Sequence, residues 1–337
     1  MSKRFLAAAC AAATALALSA CSSAPSSEGN ASKDGTLTVM ASFYPLQYLA
    51  EKIGGEHVTV TSLTPAGAEP HDLELSPKTV DALASADAVV YLAGFQAAVD
   101  EAIEQQAPTT VIDVSPAVEL VEANSSANHP SEDEDADEAQ SGESATEEHA
   151  DHDHEGHDHE GHHHDMSADP HFWLDPVRMA SAATLVGDKL AEADPANADT
   201  YKANAKALNE ELSALGDDLV AKTATCQIKT FVTAHTAFGY LADRTGLTQV
   251  GISGLDPDSS PSPARLAEIG QIAKEQGVTT IFTEALIDPK VAQTLADDLG
   301  ISTAVLDPIE SQTDSSKDYA AVMKDNINAL ATANNCQ

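Results

Sequence analysis

The sequence has 337 residues, with 54 acidic against 17 basic side chains and a formal net charge of −37. No basic patch offsets that excess, which argues against nucleic acid or an anionic membrane surface as a partner. Acidity is densest in residues 132–165, which hold 15 of the 54 acidic side chains and no Lys or Arg.

At the N-terminus Lys3 and Arg4 precede an apolar run from Phe5 to Ala17, followed by Leu18-Ser19-Ala20-Cys21. The run is too short to span a bilayer, and its basic start and small-residue end predict a secretory signal over residues 1–20. Leu-Ser-Ala-Cys resembles a bacterial lipobox, in which Cys21 becomes the lipidated first residue. The alternative is an ordinary signal peptide with a chance cysteine. Residues 21–35 read as a flexible tether. The expected location is the extracytoplasmic space, with the chain held to the bacterial membrane by lipid alone. About 300 residues then remain, room for two domains.

From Thr36 strands alternate with helices. TLTVMASF, HVTVTSLT, DAVVYLA and TTVIDV are β-branched and apolar. Pro45–Ile53, SPKTVDALASA and FQAAVDEAIEQQ are helical. This alternation predicts a parallel sheet with crossover helices over residues 36–194. Within it, residues 122–165 have too few apolar side chains to fold alone, which predicts a disordered loop. That loop holds HADHDHEGHDHEGHHHD, with His149, His152, His154, His157, His159, His162, His163 and His164. Its imidazoles and carboxylates suit metal ions, but nothing in the segment fixes their geometry.

Order returns at DPHFWLDP and a helix over Val177–Glu192. Residues 195–225 predict a second helix of some 25 residues, roughly 37 Å long, a stiff strut between two lobes. Residues 226–337 alternate again. Strands fall at Ile228–Thr233, Gln249–Ile252, Thr279–Thr283 and Ser302–Leu306, each followed by a helix. Cys10 leaves with the signal and Cys21 takes lipid, so Cys226 and Cys336 remain as an even pair. A disulfide between them suits an oxidising compartment; the alternative is two unpaired thiols.

Ligands of open parallel sheets bind beyond the carboxyl ends of the strands. His71 follows the second strand, His235 follows FVTA, Glu284 follows the third strand of the second half, and Asp307 follows the fourth. His171 stands where the acidic loop rejoins the fold. His57 starts a strand at its amino end and is left aside. Three imidazoles and a carboxylate make a closed set of the kind Zn²⁺ accepts. Each histidine alone is more often a hydrogen-bonded loop residue, and periodicity does not show that the four converge.

GAEPHDLELSP (67–77), DPHFWLDP (169–176), TAHTAFGYLADRTGL (233–247) and IFTEALIDPK (281–290) add to this. With SFYPL at 42–46 and the long central helix, these motifs resemble the ZnuA/TroA-like metal receptors of ABC importers, across nearly all of the chain after the tether. The resemblance implies an α/β fold of two lobes, each a parallel sheet flanked by helices, joined by one long helix, with metal in the cleft between them. Carried over by motif, His71, His171 and His235 are the expected ligands and Asp307 the expected fourth, with Glu284 or water as the alternative. The family's PHxxEPSP reads PHDLELSP here, with Leu75 in place of proline. Glu74 and Glu284 are candidate hydrogen-bond partners for ligand histidines, or equally helix-capping or solvated side chains. Manganese receptors of the family carry Glu where His235 stands, and the third imidazole and the His-rich loop resemble the zinc branch. The expected function is a monomeric zinc receptor serving an ABC permease and its ATPase, with the loop gathering or sensing zinc. The alternatives are a manganese or other divalent-metal receptor, a surface metal buffer or adhesin, and a secreted zinc hydrolase. The hydrolase needs an open coordination position; GxSxG does not occur in the chain, and HExxH occurs only at His159–His163, inside the His-rich stretch where nothing fixes its geometry.

Overall fold

The computed structural model of the protein describes residues 36–123 and 168–337. The expected signal, the tether, Cys21 and the His-rich stretch lie outside the described residues.

The first half builds β1 (Leu37–Ala41), α1 (Tyr44–Gly54), β2 (Val58–Ser62), α2 (Pro77–Leu83), β3 (Ala88–Tyr91), α3 (Ala97–Gln106), β4 (Val111–Asp113) and the short α4 (Ser115–Val118). Its four strands are parallel in the order β2-β1-β3-β4, with Val39 paired to Val60 on one side and Ala88 on the other. Then follow α5 (Pro176–Ala193) and α6 (Ala198–Thr223). The second half repeats the plan with β5 (Thr230–Thr233), α7 (Gly239–Thr245), β6 (Thr248–Gly251), α8 (Pro263–Glu275), β7 (Thr280–Thr283), α9 (Lys290–Leu299), β8 (Ser302–Val305) and α10 (Tyr319–Ala333). Its strands are again parallel, in the order β6-β5-β7-β8.

Local chemistry sets several boundaries. Helices α2, α5 and α8 each begin with a capping side chain followed by proline: Ser76-Pro77, Asp175-Pro176 and Ser262-Pro263. In each, the cap oxygen accepts a first-turn N–H, while proline takes a position whose N–H has no helical partner. Strand β5 is buried along its whole length, as expected for a parallel strand covered on both faces.

The long helix α6 is not a free strut. It packs along α5 and also against α1 and α10. Two glycines allow the close approach: a Cβ at Gly187 would stand 2.3 Å from the Ala205 Cβ, and one at Gly216 would stand 2.7 Å from Val177 Cγ2. Gly216, inside α6, is thus where the start of α5 rests.

One continuous apolar core runs through both lobes and the helices between them, including Val39, Leu46, Trp173, Leu212, Phe238 and Tyr319. Each lobe adds a smaller core of its own, around Leu83 and Val89 in the first and Ile269 and Ile281 in the second. The Cys226 and Cys336 sulfurs are bonded, closing a separation of 110 residues.

Two expectations need correction. Glu122 is not the start of a structureless segment, because it pairs with Ala168 in an isolated antiparallel bridge. His57 does not begin a strand but closes a 3₁₀ turn, Gly55–His57, because the chain must turn at Gly54-Gly55 before β2 starts.

Candidate metal centre

His71 sits in the segment between β2 and α2. The buried Gln96 side chain holds that segment by donating to the Pro70 carbonyl at 3.0 Å and to Thr64 Oγ1 at 3.0 Å. Phe95 places its ring edge-on to the imidazole, with centroids 4.9 Å apart. His171 precedes a 3₁₀ turn, Phe172–Leu174, that leads into α5. His235 lies just past β5, where its carbonyl accepts from Thr233 Oγ1 and from Gln249 Nε2.

The structure brings these three histidines together with Glu310, whereas Asp307 lies outside the set. Asp307 serves the loop instead. Its Oδ1 accepts the Ile309 N–H at 2.8 Å, while its backbone N–H and carbonyl engage the Asn326 side chain. Ile309 takes a φ of 58°, a left-handed conformation that a β-branched residue rarely adopts. That turn follows the Asp307 knot and aims Glu310 inward. Two bonds from the first lobe fasten the same loop: Trp173 Nε1–H to the Pro308 carbonyl at 2.7 Å, and Gly67 N–H to Ser311 Oγ at 2.7 Å.

Nε2 of each histidine faces the centre. His71 and His171 Nε2 are 3.3 Å apart, and His171 and His235 Nε2 are 3.4 Å apart. Glu310 Oε1 stands 3.4, 3.1 and 3.4 Å from His71, His171 and His235 Nε2 in turn. A tetrahedral ion with ligand bonds near 2.0–2.1 Å has ligand-to-ligand edges of about 3.3 Å. Those five distances match that spacing, and the sixth lies within 4.8 Å. The residues therefore fit a four-coordinate divalent cation of zinc's size.

Two of the three imidazoles are oriented from behind. Asp169 Oδ1 accepts the His171 N–H at 3.0 Å and lies 2.8 Å from its Nδ1. Glu284 Oε1 accepts the His235 N–H at 3.1 Å, and its Oε2 lies 2.6 Å from Nδ1. A carboxylate on the outer nitrogen fixes the ring and leaves Nε2 free for metal. Asp169 also fastens the lobes, because its carbonyl accepts the Tyr240 hydroxyl at 2.7 Å. Glu74, the other candidate partner, is exposed in the chain before α2.

Charges follow from these contacts in the metal-free centre. Burial disfavours charge on His171, but hydrogen bonds to Asp169 and Glu310 outweigh it and hold the imidazole above its usual range. Burial opposes charge on His235 too, and the Glu284 carboxylate more than compensates. Burial wins at His71, whose pKa is lowered. Burial works against ionising Glu310, yet hydrogen bonds from the three imidazoles keep it well below the usual carboxylate range. Glu69 is pushed up to about 7, by burial first and then by the neighbouring Glu310 charge.

Residues 39–333 match the family described as zinc-uptake complex component A, periplasmic (ZnuA). The chain belongs to that family. It is 33% identical over 323 residues to the high-affinity zinc uptake system protein ZnuA of Bacillus subtilis, covering 94% of this chain and 93% of that one. It is 35% identical over 304 residues to the zinc-binding lipoprotein AdcA of Streptococcus pneumoniae, covering 88% of this chain and 56% of the relative. The chain thus spans little more than half the length of its AdcA relatives. Among solved structures, the Zn(II)-bound ZnuA-like domain of pneumococcal AdcA superposes with a TM-score of 0.68 at 29% identity, covering 89% of this chain and 99% of the domain. These relatives are named as zinc-binding and zinc-uptake proteins, in line with a receptor of the ZnuA type rather than an enzyme.

Proposed function

We propose that this chain is an extracytoplasmic receptor that binds Zn²⁺ between its lobes through His71, His171, His235 and Glu310 and delivers it to an ABC permease and its ATPase. The main support is the near-tetrahedral spacing of four ligand atoms drawn from both lobes. Three imidazoles with a single carboxylate suit zinc better than manganese, which prefers oxygen ligands. Four protein ligands close the coordination sphere, whereas metal-assisted hydrolysis needs an open position for water. Cys21 is the proposed lipid anchor and the chain acts as a monomer. The stretch from His149 to His164 gathers zinc by weaker, multiple contacts, because each residue ordered around an ion costs entropy.

Competitive zinc titration against a chromophoric chelator tests the reading. Full chain, a variant lacking residues 128–165 and a His71→Ala variant are compared, with Mn²⁺ as competitor. The expected result is one tight zinc site that survives the deletion, resists Mn²⁺ and is lost in His71→Ala. Tight binding that vanishes with the deletion and survives His71→Ala overturns the assignment.

A further inference from the structure

Two ligand histidines sit in the same local pattern, an acid, a proline and then the histidine: Glu69-Pro70-His71 and Asp169-Pro170-His171. Both acids accept the backbone N–H of their histidine, at 2.9 and 3.0 Å. From there they diverge. The short Asp169 side chain turns back onto Nδ1, the outer nitrogen. Glu69 is one methylene longer, and its Oε1 lies 4.0 Å from His71 Nε2, on the metal side of the ring. Its Oε2 is buried and finds no hydrogen-bond partner among the described residues. A buried carboxylate oxygen without a donor is unfavourable unless something compensates it.

Glu69 also lines a cavity of about 260 Å³, together with Ala234, Ser253, Asp258, Ser260 and Leu286. Glu69 comes from one lobe and Ala234, the neighbour of His235, from the other, so the cavity borders the metal centre at the junction of the lobes. Six waters at roughly 30 Å³ each occupy about 180 Å³, so a hydrated cation fits. Among the described residues the centre is otherwise buried. The His171 and His235 side chains are 0% exposed and Glu310 1%, while His71 is 5% and Glu69 24% exposed. Among the described residues, Glu69 and His71 are thus the most exposed of these side chains at the centre.

We propose that Glu69 is a metal-transfer residue and that this cavity is the route by which Zn²⁺ reaches and leaves the centre. The unpartnered Oε2 replaces a water on the incoming ion, which then passes to His71 and the remaining ligands. On release the same oxygen takes the ion back while His71, with no carboxylate on its Nδ1 among the described residues, swings aside. No covalent or redox step is involved; one ligand bond is exchanged for another. The proposal rests on reading the centre as a zinc site.

Stopped-flow zinc association and EDTA-driven release, with an equilibrium titration, test it on the full chain, Glu69→Gln and Ser260→Trp. Glu69→Gln is expected to slow both rates by about tenfold, the low end of what a focusing charge contributes to an ion's capture, and to leave the Kd within about threefold. Ser260→Trp narrows the cavity with Glu69 intact and is expected to slow both rates in the same way. Far-UV circular dichroism checks that both variants fold. A Kd weakened as much by Glu69→Gln as by Glu310→Gln makes Glu69 a resident ligand and overturns the proposal. Slower association with unchanged release reduces Glu69 to long-range attraction and overturns it too. Unchanged rates in Ser260→Trp refute the route. If the unaltered chain shows no tight zinc site, the reading of the centre fails instead, and the same titration reveals that.

Discussion

The centre holds one kind of ligand in two kinds of grip. His171 and His235 are locked from behind by Asp169 and Glu284, fully buried and biased towards carrying a proton. His71 has a ring edge of Phe95 beside it, no carboxylate on its outer nitrogen among the described residues, and a lowered pKa. On the proposed reading, two histidines define the position of the ion and the third closes over it. A site gripped equally on every side would hold metal tightly and exchange it slowly.

The largest effects are expected from the fixed side, which holds the ion. His171→Ala and Glu310→Gln are each expected to weaken zinc by more than the roughly 100-fold upper range for loss of a ligand's supporting partner, read by chelator competition. Next in size, Asp169→Ala and Glu284→Ala should each cost about 10–100-fold in affinity, because the rings lose their orienting acceptors. An effect under twofold from both would mean that the two grips do not differ in function.

Proton release sharpens the contrast. His171 and His235 have raised values in the metal-free protein, so they shed protons when zinc binds, whereas His71 is already inclined to be neutral. Apparent zinc affinity should rise with pH, by up to about tenfold per unit for each proton expelled. The metal-free protein has the opposite dependence. The stabilisation from these two histidines is fully present below their unfolded pKa of about 6.5 and is lost as pH rises through the folded values. Calorimetry in buffers of different ionisation enthalpy counts the protons, and thermal melts with and without zinc check the two signs. The smallest effect belongs to Asp307→Asn. The amide oxygen can still accept the Ile309 N–H, so affinity should change by less than about threefold. A loss like that of Glu310→Gln would return Asp307 to the ligand set.

The three histidines are legible as candidates because each stands at a strand end or element start, but it is the family resemblance of their motifs, not that position, that groups them as expected ligands. Glu310 is not, because it lies five residues beyond β8 and reaches the centre only through the left-handed turn at Ile309. Asp307 is the acid nearest the strand end, yet its carboxylate is used to make that turn. Asp169 could have been found, since an acid two residues before a ligand histidine is placed to accept both its N–H and its Nδ1. Strands and helices follow closely from apolar periodicity and Ser-Pro or Asp-Pro starts. The packing of α6 on α5 does not, because it depends on which small residues meet, Gly187 with Ala205 and Gly216 with Val177.

The apolar core that runs unbroken through both lobes limits how cargo can be signalled. Trp173, Phe238 and Tyr319 all belong to it and are fully buried. Uncovering three such side chains costs about 5–9 kcal/mol, a large part of the 5–15 kcal/mol that holds a typical protein folded. Parting the lobes far enough to uncover them is therefore expensive, which favours exchange by local rearrangement over a jaw-like opening. With exchange confined to a local rearrangement, a partner that tells full from empty copies has little change of outline to read. It has to sense a patch a few residues wide, where the Glu310 loop and the His71 segment meet the surface.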